Sequence, residues 1–442
     1  MALIKLKSGF DLNIKGKIKQ DDVRPANPSA CFAIIPDDFC GIIPRMEKKE
    51  GDKVMAGEAL FHDKNDEKIK VAAPVSGTVK AVVRGDRRKI MAILIDPDGN
   101  NEDKVFDTKS NPKELLLESG LWAMMRQRPY DIVPTTETRP RDIFITAFDS
   151  APLAPSLKVV LGDNEKYLDK AVQALSTMTE GKVYLGCSKE DSFDATGAEV
   201  NTFVGPHPAG NAGVQIANVK PVNKGEVVWT LDIVTAARIG KLFETGKVDF
   251  STVVALTGSG IMEPCYVKAT MGCSLKSLLD QQIINDDKDK RIISGNVLTG
   301  VKESIDGYLH APYRHITVIN EINKKDEFMG WASLNPNKFS IYRVFTSWLL
   351  ARHKEVDLDA KLNGGERAIV LSGEYDKMIP MDIYAEFLIK AIIAFDIDKM
   401  EQLGIYEVAP EDFALAEFAD TSKLELQRIV REGLDKMRAE MC

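Results

Sequence analysis

A pattern of turns and apolar residues between residues 50 and 83 constrains the fold more than any other part of the sequence. Gly-Asp-x-Val-x-x-Gly-x-x-Leu begins at Gly51, and Pro-x-x-Gly-x-Val begins at Pro74. The glycines and the aspartate suit tight turns, and the valines and the leucine supply apolar contacts at the spacing of strands. Gly77 lets two backbones approach closely. The two halves therefore predict a small, flattened β-sandwich within residues 1–100.

This pattern is similar to the biotinyl/lipoyl hammerhead, whose carrier members have a modified lysine at the tip of the hairpin between the two halves. Lys64, in the pair Asp63-Lys64, is the candidate here. Pro74 follows it by ten positions, a longer hairpin than in typical lipoyl domains, and residues 65–67 form a polar tip. We interpret Lys64 as an ordinary solvated lysine and the hammerhead as a structural or docking part. A lipoyl- or biotin-type carrier module is the alternative.

Length, charge and cysteine usage exclude several classes of protein. A chain of 442 residues is too long for one core and divides into about three or four domains. The net charge of −8 argues against a nucleic-acid partner. The longest apolar runs are far shorter than the roughly 20 residues that cross a bilayer, and the start of the chain has no signal-peptide h-region. The six cysteines include no Cys-x-x-Cys, so neither a zinc ribbon nor a cysteine-run iron–sulfur cluster is predicted.

Three further domains follow the hammerhead. Strands alternate with helices from residue 101 to 250, which predicts a mostly parallel α/β domain with Asp232 as the N-cap of a helix ending at Gly246. The shorter elements of residues 251–325 suit a β-grasp-like unit, and residues 326–442 are predominantly helical. Ser422 and Glu425 form a Ser-x-x-Glu pattern that predicts a capping box at the last helix. The predicted strands of the α/β domain are 143–148, 183–187, 199–204 and 226–231.

The densest loop signal in the α/β domain is the segment that contains Gly205, Pro206, His207, Pro208 and Gly210. It directly follows a predicted strand, where such folds bind ligands. The two prolines remove backbone donors that a phosphate-binding loop would need. One interpretation is a rigid loop that presents His207 to a ligand or a partner, and an equally good one is a structural turn.

Other candidate residues carry weaker signals. The segment 255–260 is glycine-rich but lacks the Lys-Ser/Thr ending of a P-loop, so it is interpreted as a turn. His310 and His315 lie in a polar aromatic cluster, but no carboxylate stands at a metal-ligand spacing from them. Cys265 and Cys273 are predicted to be buried thiols. The sequence contains no nucleophile–base pair, so we predict no catalytic residue and no metal site.

Four motifs in order resemble one family over essentially the whole chain. They are the hammerhead, the 205–210 loop, the segment Ile-Ser-Gly-Asn-Val-Leu-Thr-Gly at 293–300, and Glu-Arg-Ala-Ile-Val at 366–370 followed by Pro-Met-Asp-Ile at 380–383. They resemble the NqrA family, the A subunits of bacterial Na⁺-translocating NADH:quinone oxidoreductases. The resemblance implies a Rossmann-like α/β domain, an SLBB β-grasp domain and a helical domain, an architecture similar to RnfC and to the flavin-binding subunit of complex I.

The resemblance also implies a function. Members are peripheral subunits at the cytoplasmic face of the bacterial inner membrane, in a complex that couples NADH oxidation and quinone reduction to Na⁺ export. Their partners are the other Nqr subunits, including integral membrane subunits, which are expected to hold FMN, FAD, riboflavin and iron centres. Quinone is the substrate of the complex, and a contribution of this chain to the quinone site is a hypothesis.

The same resemblance implies that this chain binds no redox cofactor of its own. Flavin-binding relatives hold FMN and NADH through a glycine-rich loop, and the corresponding segment here, residues 120–129, retains only Gly120. Trp122, Met124 and Met125 are too bulky for a cofactor phosphate to approach the backbone. The C-terminal region offers only Cys442, so the cysteines of an iron–sulfur cluster are missing. An RnfC-like electron-transfer protein is a further alternative.

Overall fold

The structure is a computed structural model, and it describes residues 2–321, 339–343, 345, 349, 355–362 and 364–441. Nineteen strands can be numbered among these residues. They are β1 (Ala2–Lys5), β2 (Val23–Pro25), β3 (Phe32–Ile34), β4 (Pro44–Met46), β5 (Lys53–Val54), β6 (Ala59–Asp63), β7 (Lys70–Ala72), β8 (Gly77–Arg84), β9 (Ile90–Pro97), β10 (Arg126–Arg128), β11 (Asp142–Ala147), β12 (Val183–Cys187), β13 (Glu199–Val204), β14 (Val228–Asp232), β15 (Ser251–Thr257), β16 (Cys265–Thr270), β17 (Lys290–Ser294), β18 (Val301–Glu303) and β19 (His315–Asn320).

Eleven α-helices can be numbered in the same part of the chain. They are α1 (Pro112–Ser119), α2 (Leu157–Leu161), α3 (Leu168–Ser176), α4 (Ala212–Val219), α5 (Ile233–Thr245), α6 (Leu275–Leu279), α7 (Glu374–Met378), α8 (Ala385–Ala394), α9 (Ile397–Gln402), α10 (Ala414–Ala419) and α11 (Leu426–Met441). Short 3₁₀ turns include Pro36–Asp38, Leu121–Met124 and Pro410–Phe413.

The hammerhead pattern forms two small facing sheets, with strand orders β3-β9-β8-β5 and β4-β6-β7. Val54, Leu60 and Val79 are buried, as their spacing predicts. Gly77 is required by close approach, because a Cβ atom there would lie 2.2 Å from the Asp96 carbonyl oxygen. The prediction of a flattened β-sandwich is therefore confirmed.

The α/β domain has a six-stranded sheet of order β1-β13-β12-β11-β14-β10, parallel except for β10. Helices α3 and α5 pack together, and α4 packs on β11. Alternate residues of the strands face opposite sides: Ile143 and Ile145 join the large core shared with the hammerhead, whereas Phe144 packs with Ile216 of α4. The sheet is thus covered on both faces, as parallel sheets require.

The first 25 residues contribute edge strands to two sheets outside the hammerhead. Strand β1 pairs in parallel with β13 of the α/β sheet, and β2 pairs in parallel with β16 of the next domain. Between these strands, Leu12 and Ile14 enter the core of the C-terminal helices. The N-terminal segment therefore connects three domains, an arrangement set by long-range pairing rather than by local pattern.

The third domain is a β-grasp-like sheet of order β18-β17-β19-β15-β16-β2, with β15 and β19 parallel at its centre. Helix α6 buries Leu275 and Leu278 against it. Helices α7 to α11 share one further apolar core. The boundary predicted between residues 325 and 326 lies outside the described residues.

The predicted capping box at the last helix is wrong. The Ser422 hydroxyl donates to the Ala368 carbonyl oxygen at 3.1 Å instead of accepting from the helix. The helix begins at Leu426, and the N–H of Gln427 donates to the Glu417 carboxylate at 2.8 Å. A carboxylate of the preceding helix thus replaces the local cap.

Candidate functional site

The predicted loop lies at the carboxyl edge of the α/β sheet, between the end of β13 and the start of α4. Open α/β sheets bind ligands at this edge, where the strand order reverses. Here the reversal falls beside β11, which has β12 on one side and β14 on the other. The loop after β11 meets the predicted loop there, because the Ser150 hydroxyl oxygen lies 3.1 Å from His207 Nδ1 and accepts the Gly210 N–H at 2.8 Å.

His207 is buried and holds several segments together. Its backbone N–H donates to Asp11 Oδ1 at 2.8 Å, and its carbonyl oxygen accepts the N–H of Phe10 at 2.8 Å. The side chain is 4 % exposed, and Nε2 is buried without a partner among the described residues. Burial lowers the pKa of His207 to about 4, so the imidazole is neutral at physiological pH.

The glycines and prolines of the predicted loop let its backbone lie close to neighbouring segments. A Cβ atom at Gly205 would lie 2.8 Å from Leu6, and one at Gly210 would lie 2.6 Å from the Phe148 carbonyl oxygen. Pro206 packs near Gly9, and Pro208 follows a cis peptide bond. Rigid residues and glycines thus fit this loop against its neighbours.

The C-terminal domain covers the loop and the start of α4. Asn211 Nδ2 donates to the Glu411 carbonyl oxygen at 3.1 Å. Arg128 at the end of β10 is 1 % exposed, and its guanidinium lies 3.2 Å from Asp412 Oδ2 and 3.3 Å from Glu411 Oε1. The buried cation at the end of β10 therefore faces two carboxylates of the C-terminal domain.

Because two carboxylates face a single guanidinium, uptake of a proton by one of the carboxylates is favoured. Burial has the largest effect on Glu411, and together with the charge of Asp412 it raises the pKa of this residue to about 8. The charge of Arg128 acts in the opposite direction. Burial also raises the pKa of Asp412. Asp412 Oδ2 accepts from Arg128 and from the Ala409 N–H, whereas Oδ1 has no partner among the described residues.

The segment 120–129, which the family resemblance compares with a flavin-binding loop, is filled by its own side chains. Trp122 is fully buried, lies edge-on to Trp229 with ring centroids 4.9 Å apart, and donates Nε1–H to the Pro134 carbonyl oxygen at 2.8 Å. Gly120 has φ +78°, and a Cβ atom there would lie 2.8 Å from the Ala72 nitrogen. This glycine fits the α/β domain against the hammerhead.

Lys64 lies on an exposed hairpin whose tip contacts the α/β domain. The Lys64 N–H donates to the Ile43 carbonyl oxygen at 2.8 Å, and the Thr136 hydroxyl donates to Asp66 Oδ2. A carrier lysine must reach several sites in turn, and a hairpin held in this way is poorly suited to that movement.

Sequence reasoning missed an ionic contact at His310. Its Nδ1 lies 2.6 Å from Asp38 Oδ1 of the hammerhead, and its Nε2 lies 3.0 Å from Glu303 Oε1. Burial opposes the charge, but the two carboxylates raise the pKa of His310 to about 9. His315 is separate from this contact, and its burial lowers its pKa to about 4. No local signal pairs His310 with Asp38, because 272 positions separate them.

The remaining predictions can be compared with the same structure. Cys265 and Cys273 are buried, as predicted. The segment after β15 forms a turn in which Gly258 donates its N–H to the Gly16 carbonyl oxygen at 3.1 Å. Within the described ranges, no group of three or more His, Cys, Asp or Glu residues is arranged to hold a metal ion. No helix in that same part of the chain is both long and apolar enough to cross a membrane.

These features define a class: a multidomain α/β protein that joins a barrel-sandwich domain, a two-faced α/β domain, a β-grasp domain and C-terminal helices. Three family models match in this order. They are the NqrA N-terminal barrel-sandwich hybrid domain at residues 4–98, the NqrA second alpha/beta domain at 108–248 and the NQRA C-terminal domain at 253–304.

Full-length relatives give the family. The chain is 34 % identical to the A subunits of the Na⁺-translocating NADH-quinone reductases of Rhodopirellula baltica, Pasteurella multocida and Vibrio anguillarum. The matches cover 99 % of this chain in all three cases, 99 % of the first relative and 100 % of the other two. The chain belongs to the NqrA family, the A subunits of Na⁺-translocating NADH-quinone reductases.

Proposed function

We propose that this chain is the peripheral NqrA component of a complex that couples NADH oxidation and quinone reduction to Na⁺ export. The observation that carries the proposal is the full-length match to the A subunits of such reductases, together with three domain models in the same order. Such a match covers the hammerhead, the α/β domain and the β-grasp domain at once, so it does not rest on one shared motif. The proposed location is the cytoplasmic face of the bacterial inner membrane.

The proposed role of the chain is docking rather than electron transfer. FMN, FAD, riboflavin and iron centres are assigned to the other Nqr subunits, including the integral membrane subunits. Two observations support this assignment: buried Trp122 fills the segment that the resemblance compares with a flavin-binding loop, and the C-terminal domain covers the carboxyl edge of the α/β sheet near His207. A flavin bound to the isolated chain, visible as yellow colour after gentle purification, would contradict it and favour the RnfC-like alternative.

A contribution to the quinone site is the finer part of the proposal. It is tested by saturation binding of a quinone to the isolated chain and to the whole complex. Binding to the isolated chain that is abolished by changes in one pocket would support a site on this chain. Binding seen only with the complex would contradict a site that this chain forms alone.

The central test is co-purification of the tagged chain from its native membranes in a gentle detergent. The expected result is recovery of several multi-span membrane subunits and a flavoprotein NADH dehydrogenase, identified by mass spectrometry. A membrane preparation from cells expressing the tag alone is the control for non-specific recovery. Recovery of the chain alone, or with soluble acyl- or carboxyl-transfer enzymes, would contradict the proposal.

A further inference from the structure

Helix α5 buries an arginine whose charge is not paired. Arg238 is 4 % exposed, and it forms no ion pair with any residue that the structure describes. Its Nη2 donates to the carbonyl oxygens of Phe250 and Ser251 at 3.4 Å and 3.2 Å. Nη1 has only the Met124 sulfur, a weak acceptor, at 3.9 Å, and Nε is buried without a partner in the described part of the chain. A guanidinium has five N–H donors, so this cation is incompletely satisfied.

The two carboxylates that act on this cation are bonded to other groups. Asp232 caps the start of α5 and lies 3.5 Å from Arg314 Nη2. Asp249 lies 2.5 Å from Lys241 Nζ. Burial, and next the charge of Arg314, lowers the pKa of Arg238 to about 9 against the effect of the two carboxylates. A buried charge normally has a partner, and here the protein does not supply one.

Arg238 lines a cavity of about 430 Å³ between the α/β domain and the β-grasp domain. Val234, Arg238 and Lys241 are spaced four and three residues apart on α5, so they lie on one face of the helix. The β-grasp domain contributes Val253 of β15 and Lys268 of β16, which pair in register and therefore lie on one face of its sheet. The volume is within the range of sites for small molecules.

The lining of this cavity is positively charged. Its charged residues are two carboxylates and four cations: Asp163, Asp249, Lys166, Arg238, Lys241 and Lys268. Asp249 is neutralised by Lys241, whereas Lys268 has no ion-pair partner in the described ranges. Lys166 and Lys268 are exposed, so positive charge extends from the buried guanidinium to the solvent. The two surplus positive charges match a ligand that carries two negative charges.

We propose that this cavity binds the phosphate group of a small molecule, with Arg238 as the buried cation of the site and Lys268 as the cation at its exposed side. A phosphate monoester is largely dianionic at neutral pH, and a guanidinium can bind two of its oxygens at once. The phosphate oxygens would supply the acceptors that Nε and Nη1 of Arg238 lack. This inference goes beyond the proposed function and does not depend on it.

The same chemistry occurs in soluble phosphate compounds and in lipid headgroups, so the test has two arms. In the first, the full chain is dialysed to equilibrium against radiolabelled inorganic phosphate in a chloride buffer of constant ionic strength. In the second, the chain is floated with phosphatidylcholine vesicles that contain or lack phosphatidic acid. We expect saturable binding of inorganic phosphate and no effect of phosphatidic acid, because the nearly complete burial of Arg238 favours a small soluble ligand.

Three variants of the full chain locate the site. Arg238→Met should weaken phosphate binding about 10- to 100-fold, because it removes hydrogen bonds from a charged donor. Lys268→Ala should weaken it about twofold to fivefold, as expected for an exposed cation. Lys158→Ala is the matched control and should bind like the wild type, since Lys158 is exposed and does not line the cavity.

The outcomes separate the site from its ligand. Flotation that needs both phosphatidic acid and Lys268, without binding of inorganic phosphate, supports the site and assigns the phosphate to a lipid. If Arg238→Met does not fold, the comparison of Lys268→Ala with Lys158→Ala decides. The proposal is overturned if the wild type binds in neither arm, or if Lys268→Ala binds phosphate as tightly as Lys158→Ala does.

Discussion

His310 connects the hammerhead to the β-grasp domain and provides the sharpest prediction. Its two ring nitrogens contact Asp38 at 2.6 Å and Glu303 at 3.0 Å, and the His310 and Asp38 side chains are each 7 % exposed. Ionised carboxylates only accept hydrogen bonds, so both nitrogens must carry protons. The contact therefore requires an imidazolium, and its strength should depend on pH.

The magnitude follows from the change in pKa. Burial alone would lower the pKa of His310, but the two carboxylates raise it from 6.5 to about 9. The difference corresponds to about 3 kcal/mol of stability. Because the pKa is higher in the folded state than in the unfolded state, this contribution is complete below pH 6.5. It is lost as the pH rises through about 9.

Nuclear magnetic resonance of the histidine ring nitrogens measures this directly, since the chain has only five histidines. One histidine should titrate near pH 9 and vanish from the spectra of His310→Gln. In urea unfolding, His310→Gln should lose about 3 kcal/mol at pH 6 and much less at pH 10. His62→Gln is the matched control. A His310 pKa near 6.5, or an unfolding difference that does not change with pH, would refute the reasoning.

Three further predictions concern the hammerhead and its contact with the α/β domain. Trp122→Ala should lower the free energy of unfolding by about 3–5 kcal/mol, because it empties a buried site beside Trp229; a loss below about 1 kcal/mol in urea unfolding would contradict this packing. Gly120→Ala should cost about 1–2 kcal/mol for its left-handed backbone and more for the collision with Ala72, which thermal unfolding can measure. Lys64→Arg should leave the NADH:quinone reductase activity of the complex unchanged, and the wild-type intact mass should equal the sequence mass of 48.9 kDa; a lipoyl or biotinyl increment lost in the variant would restore the carrier alternative.

Local sequence patterns were sufficient to predict much of the fold. The run at 143–148 predicts a strand, and β11 covers Asp142–Ala147. Asp232 was predicted as an N-cap, and its carboxylate accepts the Thr235 N–H at 2.9 Å. Such features depend on residues a few positions apart, so their physical cause is visible in the sequence itself.

Contacts between domains were not predictable in the same way. Arg128 and Asp412 are 284 positions apart, and nothing near either residue indicates the other. The capping box failed for a related reason. Ser422 has a suitable local partner in Glu425, but its hydroxyl donates to the distant Ala368 carbonyl oxygen, and the helix begins only at Leu426. Local propensity is overridden wherever a side chain finds a better partner from a distant part of the chain.

The glycines and prolines of the candidate loop suggested a ligand site, but the same residue types also suit a contact with another domain. Glycine and proline are used wherever a backbone must take a fixed, close path, and a partner domain imposes the same requirement as a small molecule. Here the neighbour of the loop is the C-terminal domain, whose Glu411 carbonyl oxygen contacts Asn211. The buried charge of Arg128 identifies the contact with the C-terminal domain, which the residue types of the loop do not. A fully buried guanidinium must be paired, and its pairing with Asp412 ties the position of the C-terminal domain to β10, the antiparallel edge strand of the sheet.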